Sequence, residues 1–198
     1  MSLHALLTLF TLGMAAGWTP GPNNALLASS GVKFGLRRTV PHALGVGLGF
    51  PVMVFLVGLF LGAAFQASAL LRDVLRYGGA AMLLWVAWKI ASAGGLGSST
   101  GPIRPFRFHE AVAFQWINPK GWVMAISLTA QFMNPAHIWL TALMVAGVFL
   151  VVGLSSAFGW AALGTGLRRF LAKGHRMRIF DITMGAVIAL GVVVLLRG

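Results

Sequence analysis

Thr19-Pro20-Gly21-Pro22-Asn23-Asn24 interrupts the first apolar run of the chain, and Asn118-Pro119-Lys120-Gly121 interrupts the fourth. Pro20 and Pro22 lack the amide hydrogen a helix uses and clash with the turn before them. Gly21 allows unusual dihedrals, and Asn23 or Asn24 is placed to cap freed amides. Asn118 followed by Pro119 reads as an N-cap and the first position of a new helix. Non-helical backbone at membrane depth persists only where it is buried in protein or lines a watery cavity. Each interruption therefore predicts a helix that stops and restarts at depth. A single Pro needs no reading beyond a structural kink, but two breaks, each with an adjacent Asn, point to a site.

The surrounding sequence sets the medium. Of 198 residues 58% are hydrophobic and 9% charged, whereas a soluble domain has about a quarter of its residues charged. The same apolar content excludes a disordered chain. A bilayer span needs about 20 apolar residues, and six such stretches fit at about 3–26, 41–65, 70–93, 110–132, 136–164 and 179–196. The fifth is too long for one straight crossing and predicts an interfacial turn near Gly159 to Gly166. The first lacks the positive region of a signal peptide and outlasts its apolar region, so it reads as a true span. With no cysteine, disulfides, thiolate metal sites and redox dithiols are excluded. The expected fold is an all-α integral membrane protein in one transmembrane domain, residues 1–198.

A net charge of +12 in a soluble chain would suggest nucleic acid, but here the cations lie between spans, so no nucleic acid is expected. Lys33, Arg37, Arg38, Lys89, Arg104, Arg107, Arg168, Arg169, Lys173, Arg176 and Arg178 fall on the odd-numbered connections. Only Arg72, Arg76 and Arg197 fall on the other side, and Lys120 lies within span four. The positive-inside rule makes the odd connections cytoplasmic and both termini external. The Gly- and Ser-rich segment Ala93 to Pro105 is the turn-rich linker. It divides a first repeat of about 1–93 from a second of about 109–198, with the connection at about 94–108. Three spans per half require opposite orientations, the inverted-repeat plan of many secondary transporters.

A helix N-terminus suits a carboxylate, while unwound carbonyls suit an ammonium or a small cation. Two facing breaks therefore suit both ends of a zwitterion. Lys120, a cation at depth, is costly unless paired or hydrated. It reads either as the partner of a substrate or proton-exchanging carboxylate, or as a snorkelling residue paired with Asp181 or Glu110. Asp181, among Ile179, Phe180 and Ile182, is the candidate proton carrier, or else an N-terminal helix charge near Arg178. Glu110 beside His109 reads as interfacial and Asp73 as a solvated charge. His42 is placed to sense or shuttle protons, or sits at headgroup level. Gln115 and Thr19 are candidate hydrogen-bonding groups, although polar side chains also bind helices together. Gly13 and Gly17, Gly45 and Gly49, and Gly58 and Gly62 form smooth strips for helix packing. Trp85, Trp88, Trp116, Trp122 and Trp139 read as interface belts or packing. No phosphate loop, His-Glu-x-x-His or Gly-x-Ser-x-Gly occurs, so ATP-driven pumping and the matching hydrolases lack support. No cofactor or metal is implied.

Taken together, Pro20-Gly21-Pro22-Asn23-Asn24, then Gly31, Gly35, Gly45 and Gly49, Phe114-x3-Asn118-Pro119-Lys120, and Asp181 with Gly185 resemble the LysE-type amino-acid exporters. That group includes lysine, homoserine/threonine and cysteine exporters, and the likeness covers nearly the whole chain. It implies a bacterial inner-membrane exporter of amino acids or related metabolites, acting by proton exchange as a homodimer. It also implies that the Pro-Gly-Pro and Asn-Pro-Lys regions carry the transport site. The scarcity of intramembrane acids weighs against a dicationic substrate such as lysine. The expectation is a neutral amino-acid exporter with alternating access between two inverted halves. Pro20, Gly21, Pro22, Asn23, Asn24, Gln115, Asn118, Pro119 and Lys120 would form the substrate site, and Asp181 would carry the proton. The alternatives are an inorganic cation exporter, which needs several converging ligands, and a non-transporting membrane scaffold. No nucleophile, base and oxyanion set for an enzyme can be assembled.

Overall fold

The computed structural model describes residues 1–61, 68–92, 104–173 and 175–197. Most of the glycine-rich linker, and Gly62 of the third glycine pair, lie outside the described residues. Helix α1 (Leu3–Trp18) opens at Ser2, whose hydroxyl accepts the Ala5 amide hydrogen at 3.2 Å. It stops at Thr19, which is extended (φ −59°, ψ 131°) ahead of Pro20, as the bulk of a following proline requires. Helix α2 (Pro22–Phe34) restarts with Pro22 at its first position, where a missing amide hydrogen is no loss. It ends at Gly35, whose φ of 78° favours glycine.

Helix α3 (Leu36–Leu56) follows directly and runs into a π turn at Val57–Leu61. Helix α4 (Ala69–Ala91) closes the first half. The second half repeats the interruption. Helix α5 (Phe108–Ile117) stops at Asn118 (φ −82°, ψ 107°), and helix α6 (Pro119–Phe132) restarts with Pro119. A short 3-10 turn, Pro135–His137, leads into helix α7 (Ile138–Leu171), and helix α8 (Arg176–Arg197) ends the described fold.

Two expectations are corrected. The first apolar run continues past the break to Phe34, so Lys33 belongs to a helix and not to a connection. Helix α7 is continuous over 34 residues, about 51 Å at 1.5 Å per residue, with no turn between Gly159 and Gly166. Gly159 and Gly164 serve contact instead. A Cβ at Gly159 would strike the Trp18 ring, and one at Gly164 would strike the Ala28 carbonyl. Across the same crossing a Cβ at Gly31 would strike the Ala161 carbonyl. Small residues are thus what let α2 and α7 touch backbone to backbone.

Helix α7 is the central strut, packed along α2, α3 and α1, while α4 pairs with α8 and α5 lies on α3. The glycine strips work as expected. Gly45 and Gly49 seat α3 against Phe108, Ala111 and Val112 of α5, and Gly13 and Gly17 seat α1 against Phe149 and Val152 of α7. One core joins α1, α3, α6 and α7 around Phe50 and Phe149, whose rings meet edge to face at 5.4 Å. A second joins α2, α4, α5 and α8 around Leu83, Phe114 and Ile188.

Large apolar side chains also point outward, among them Leu70, Trp88, Leu143 and Leu190, as a lipid-facing surface requires. Two stretches, residues 36–60 and 135–171, are each long and apolar enough to cross a bilayer unaided. Helix α1 is apolar but short, because the break divides its run.

Candidate functional site

The two breaks lie side by side. Between them and the middle of α7 opens a cavity of about 530 Å³ including its mouth, within the roughly 300–1,000 Å³ of small-molecule sites. Gly21, Asn23 and Asn24 from the start of α2 face Asn118, Lys120 and Gly121 from the start of α6, and Phe50, Met124, Phe149 and Val152 supply an apolar wall.

The polar groups are held by the free ends of the helices. Trp18 ends α1 and leaves the last carbonyls without helical partners. Asn24 Nδ2 donates to the carbonyls of Gly17 and Thr19, both at 2.9 Å, and Ser156 Oγ donates to Gly17 at 2.8 Å. Lys120 Nζ donates to the Thr19 carbonyl at 2.7 Å. A cation beside a helix C-terminus is favoured by the backbone dipoles. Gly21 makes room for it, because a Cβ there would stand 3.0 Å from Lys120 Cδ and 3.2 Å from Nζ. Lys120 thus pairs with neither Asp181 nor Glu110.

Asn23 Nδ2 donates to Gln115 Oε1 at 2.8 Å, and Gln115 Nε2 donates in turn to the Ala111 carbonyl at 2.8 Å. Gln115 is fully buried and stands behind Asn23, so it orients the site from outside the cavity wall. Pro20 and Pro22 shape the break and are likewise not part of that wall. Pro119 sets the start of α6. The buried Oδ1 atoms of Asn23 and Asn118 have no hydrogen-bond partner among the described residues. Such oxygens are costly unless a donor reaches them. One ammonium donor on Lys120 and two open acceptors therefore frame a cavity with an apolar wall.

Asp181 lies elsewhere. It is fully buried on α8, and its Oδ1 is 3.1 Å from Nζ of Lys33, itself 8% exposed. Lys33 was not among the expected site residues. Gly35 as a helix-ending glycine was the signal that the helix runs on past Ser29 and Ser30 to include it. Ten residues of α2 separate Asn23 from Lys33, about 15 Å along the axis. A single rigid helix therefore touches the cavity at one end and the ion pair at the other.

Glu110 is clamped by Arg104, at 2.6 and 2.7 Å, and accepts the Arg107 amide hydrogen at 2.8 Å. The bonds from Arg104 to Glu110 raise the Arg104 guanidinium above its ordinary value. Both side chains are part exposed, so the pair lies at the protein surface. Asp73 is exposed. His42 is 2% exposed, packed inside the protein. Trp85, Trp88 and Trp139 face outward. Trp122 is a core residue whose Nε1 donates to the Trp116 carbonyl at 2.8 Å.

The chain matches the family model described as LysE type translocator over residues 14–198. It is 31% identical over 186 residues to a cysteine/O-acetylserine efflux protein of Salmonella choleraesuis, covering 90% of this chain and 92% of that protein. Proteins of the same name from Escherichia coli O1:K1 and Klebsiella pneumoniae are 30% and 28% identical, over 90% and 84% of this chain and 92% and 86% of theirs. No solved structure matches.

Proposed function

Because the chain belongs to the LysE type translocator family, we propose that it is a secondary active exporter of small neutral amino acids, acting by proton antiport across the bacterial inner membrane. The substrate class follows the names of the relatives, cysteine and O-acetylserine, both compact zwitterions. One observation carries the reading. Lys120 Nζ and the open Oδ1 atoms of Asn23 and Asn118 converge on one cavity at the junction of two helix breaks.

In this reading the substrate carboxylate replaces the Thr19 carbonyl as the partner of Lys120. The substrate ammonium donates to Asn23 and Asn118, and Phe50, Met124 and Phe149 take the small side chain. A second cationic group would find no carboxylate on this wall, which argues against lysine-like substrates.

The two halves act as inverted three-span repeats that rock about this site, with six spans and both termini outside. The interruptions at corresponding places in each half support this plan. Asp181 carries the proton. When protonated it gives up its ion pair with Lys33, which frees one end of α2 from α8, and the other end of α2 holds Asn23 and Asn24. The working unit is a homodimer.

Counterflow in proteoliposomes holding only this chain tests the reading, with labelled O-acetylserine, cysteine, serine and lysine. Saturable exchange of the first three, faster under an imposed pH gradient, is expected. Exchange of lysine alone, or of none from folded protein, would overturn it. Asp181→Asn is expected to keep exchange but lose its dependence on the gradient, and normal coupling in that variant would refute the proton role.

A further inference from the structure

A second cavity, of about 350 Å³ including its mouth, lies between α2, α3, the end of α4 and the segment Arg104–Phe106. It shares no lining residue with the first. Its apolar parts are Leu26, Ile90 and Phe106, but its polar groups are unusual. Ser29 Oγ and His42 Nδ1 are buried without a hydrogen-bond partner among the described residues, and Lys33, which also lines it, is the ion-pair partner of Asp181. Asp181 Oδ2 likewise has no hydrogen bond among the described residues. Buried polar atoms of this kind are satisfied by internal water where a cavity has polar partners and room, each water occupying about 30 Å³.

We propose that this cavity is a hydrated proton route, separate from the substrate path, in which His42 relays the proton between the Lys33–Asp181 pair and the cytoplasm. The inference rests on Asp181 as the proton carrier. The cavity opens among residues next to the positively charged connections, the side that the charge distribution makes cytoplasmic. The protonated carboxyl of Asp181 passes its proton through water to His42 Nδ1, and the imidazolium releases one from Nε2 to cytoplasmic water. The carboxylate then recovers the Lys33 ammonium. One proton enters and one leaves, and imidazole is suited to the step by its two distinct nitrogens.

The charged groups around the route come from every packed element. Lys33 stands on α2 and Asp181 on α8, and Glu110 of α5 is clamped by Arg104. Lys89 of α4 is turned onto the Trp85 ring at 5.8 Å, and Arg38 of α3 onto the Phe34 ring at 5.6 Å. Arg168 of α7 lies beside Gly35. None of them replaces the His42 imidazole, which lines the cavity with its ring centroid 5.1 Å from that of Phe106.

The test uses the full chain in proteoliposomes, with labelled O-acetylserine as probe and an internal pH dye. His42→Gln and Ser29→Val are expected to keep gradient-free counterflow within about twofold of wild type and to lose at least about tenfold of proton flux under a gradient. Gradient-driven proton flux that survives in either variant overturns the proposal. Should His42→Gln lose counterflow as well, Ser29→Val decides alone, since its hydroxyl bonds nothing that holds the helices. If Asp181→Asn uncouples while the other two variants do not, the route fails and Asp181 stands. If Asp181→Asn stays coupled, the carrier itself fails.

Discussion

Lys33→Met should destabilise the protein severely, and Lys33→Met with Asp181→Leu should restore it. Lys33 is 8% exposed and Asp181 0%, at 3.1 Å, so neither charge reaches bulk water. Removing one partner of such a pair costs about 3–5 kcal/mol, whereas replacing both by apolar side chains of similar volume is about neutral or stabilising. Asp181 Oδ2 has no hydrogen bond among the described residues, so the pair recovers its desolvation only in part, which favours the apolar double variant further. For a chain of 150–250 residues about 1 kcal/mol shifts Tm by roughly 2–4 °C. The single variants should therefore melt roughly 6–20 °C lower and the double variant near or above wild type. Near-UV circular dichroism of detergent-purified protein at neutral pH measures this. A single variant with unchanged Tm, or a double variant no better than either single, would refute the buried-pair argument.

The remaining predictions follow from contacts at other positions. Glu110→Gln, at the part-exposed pair, should leave Tm nearly unchanged, because exposed pairs contribute little; the same melts check it. Gly31→Ala should cost about 1–3 kcal/mol by overpacking the α2–α7 crossing. Gly147→Ala, where a Cβ meets nothing within 4 Å, should be neutral or stabilising by up to about 1 kcal/mol, and parallel denaturation separates the two. Lys120→Met removes a charge-assisted bond to the substrate carboxylate of about 1.5–3 kcal/mol, roughly 10- to 150-fold in half-saturating O-acetylserine. Counterflow titration should recover part of that with Lys120→Arg and none with Lys120→Gln.

The helix breaks were legible because proline acts locally. Pro20, Pro22 and Pro119 remove donors and constrain their neighbours whatever packs around them, and the structure interrupts both helices there. The paired glycines of α1 and α3 were legible for the same reason, since spacing alone fixes one helix face. Glycine at Gly159 to Gly166 was ambiguous. It ends helices and it also admits close neighbours, and only the presence of Trp18 and Ala28 across the interface decides between the two. Lys33 reads as part of a connection because the polarity of Ser29, Ser30 and Lys33 gives no local sign of burial, and it takes α3, α7 and α8 to bury that stretch. Gln115 was placed on the right helix, but its contact with Asn23 depends on how α5 is rotated against α2, which no local pattern encodes.

Because the chain has no cysteine, a single introduced thiol reports directly on whether substrate occupies the cavity between the breaks. Ala16→Cys places it on the cavity wall, and Gly166→Cys places a control on the exposed side of α7. In protein competent for counterflow, saturating O-acetylserine should slow maleimide labelling of Ala16→Cys and leave that of Gly166→Cys unchanged. Equal labelling of Ala16→Cys with and without O-acetylserine would contradict the assignment of this cavity as the transport site.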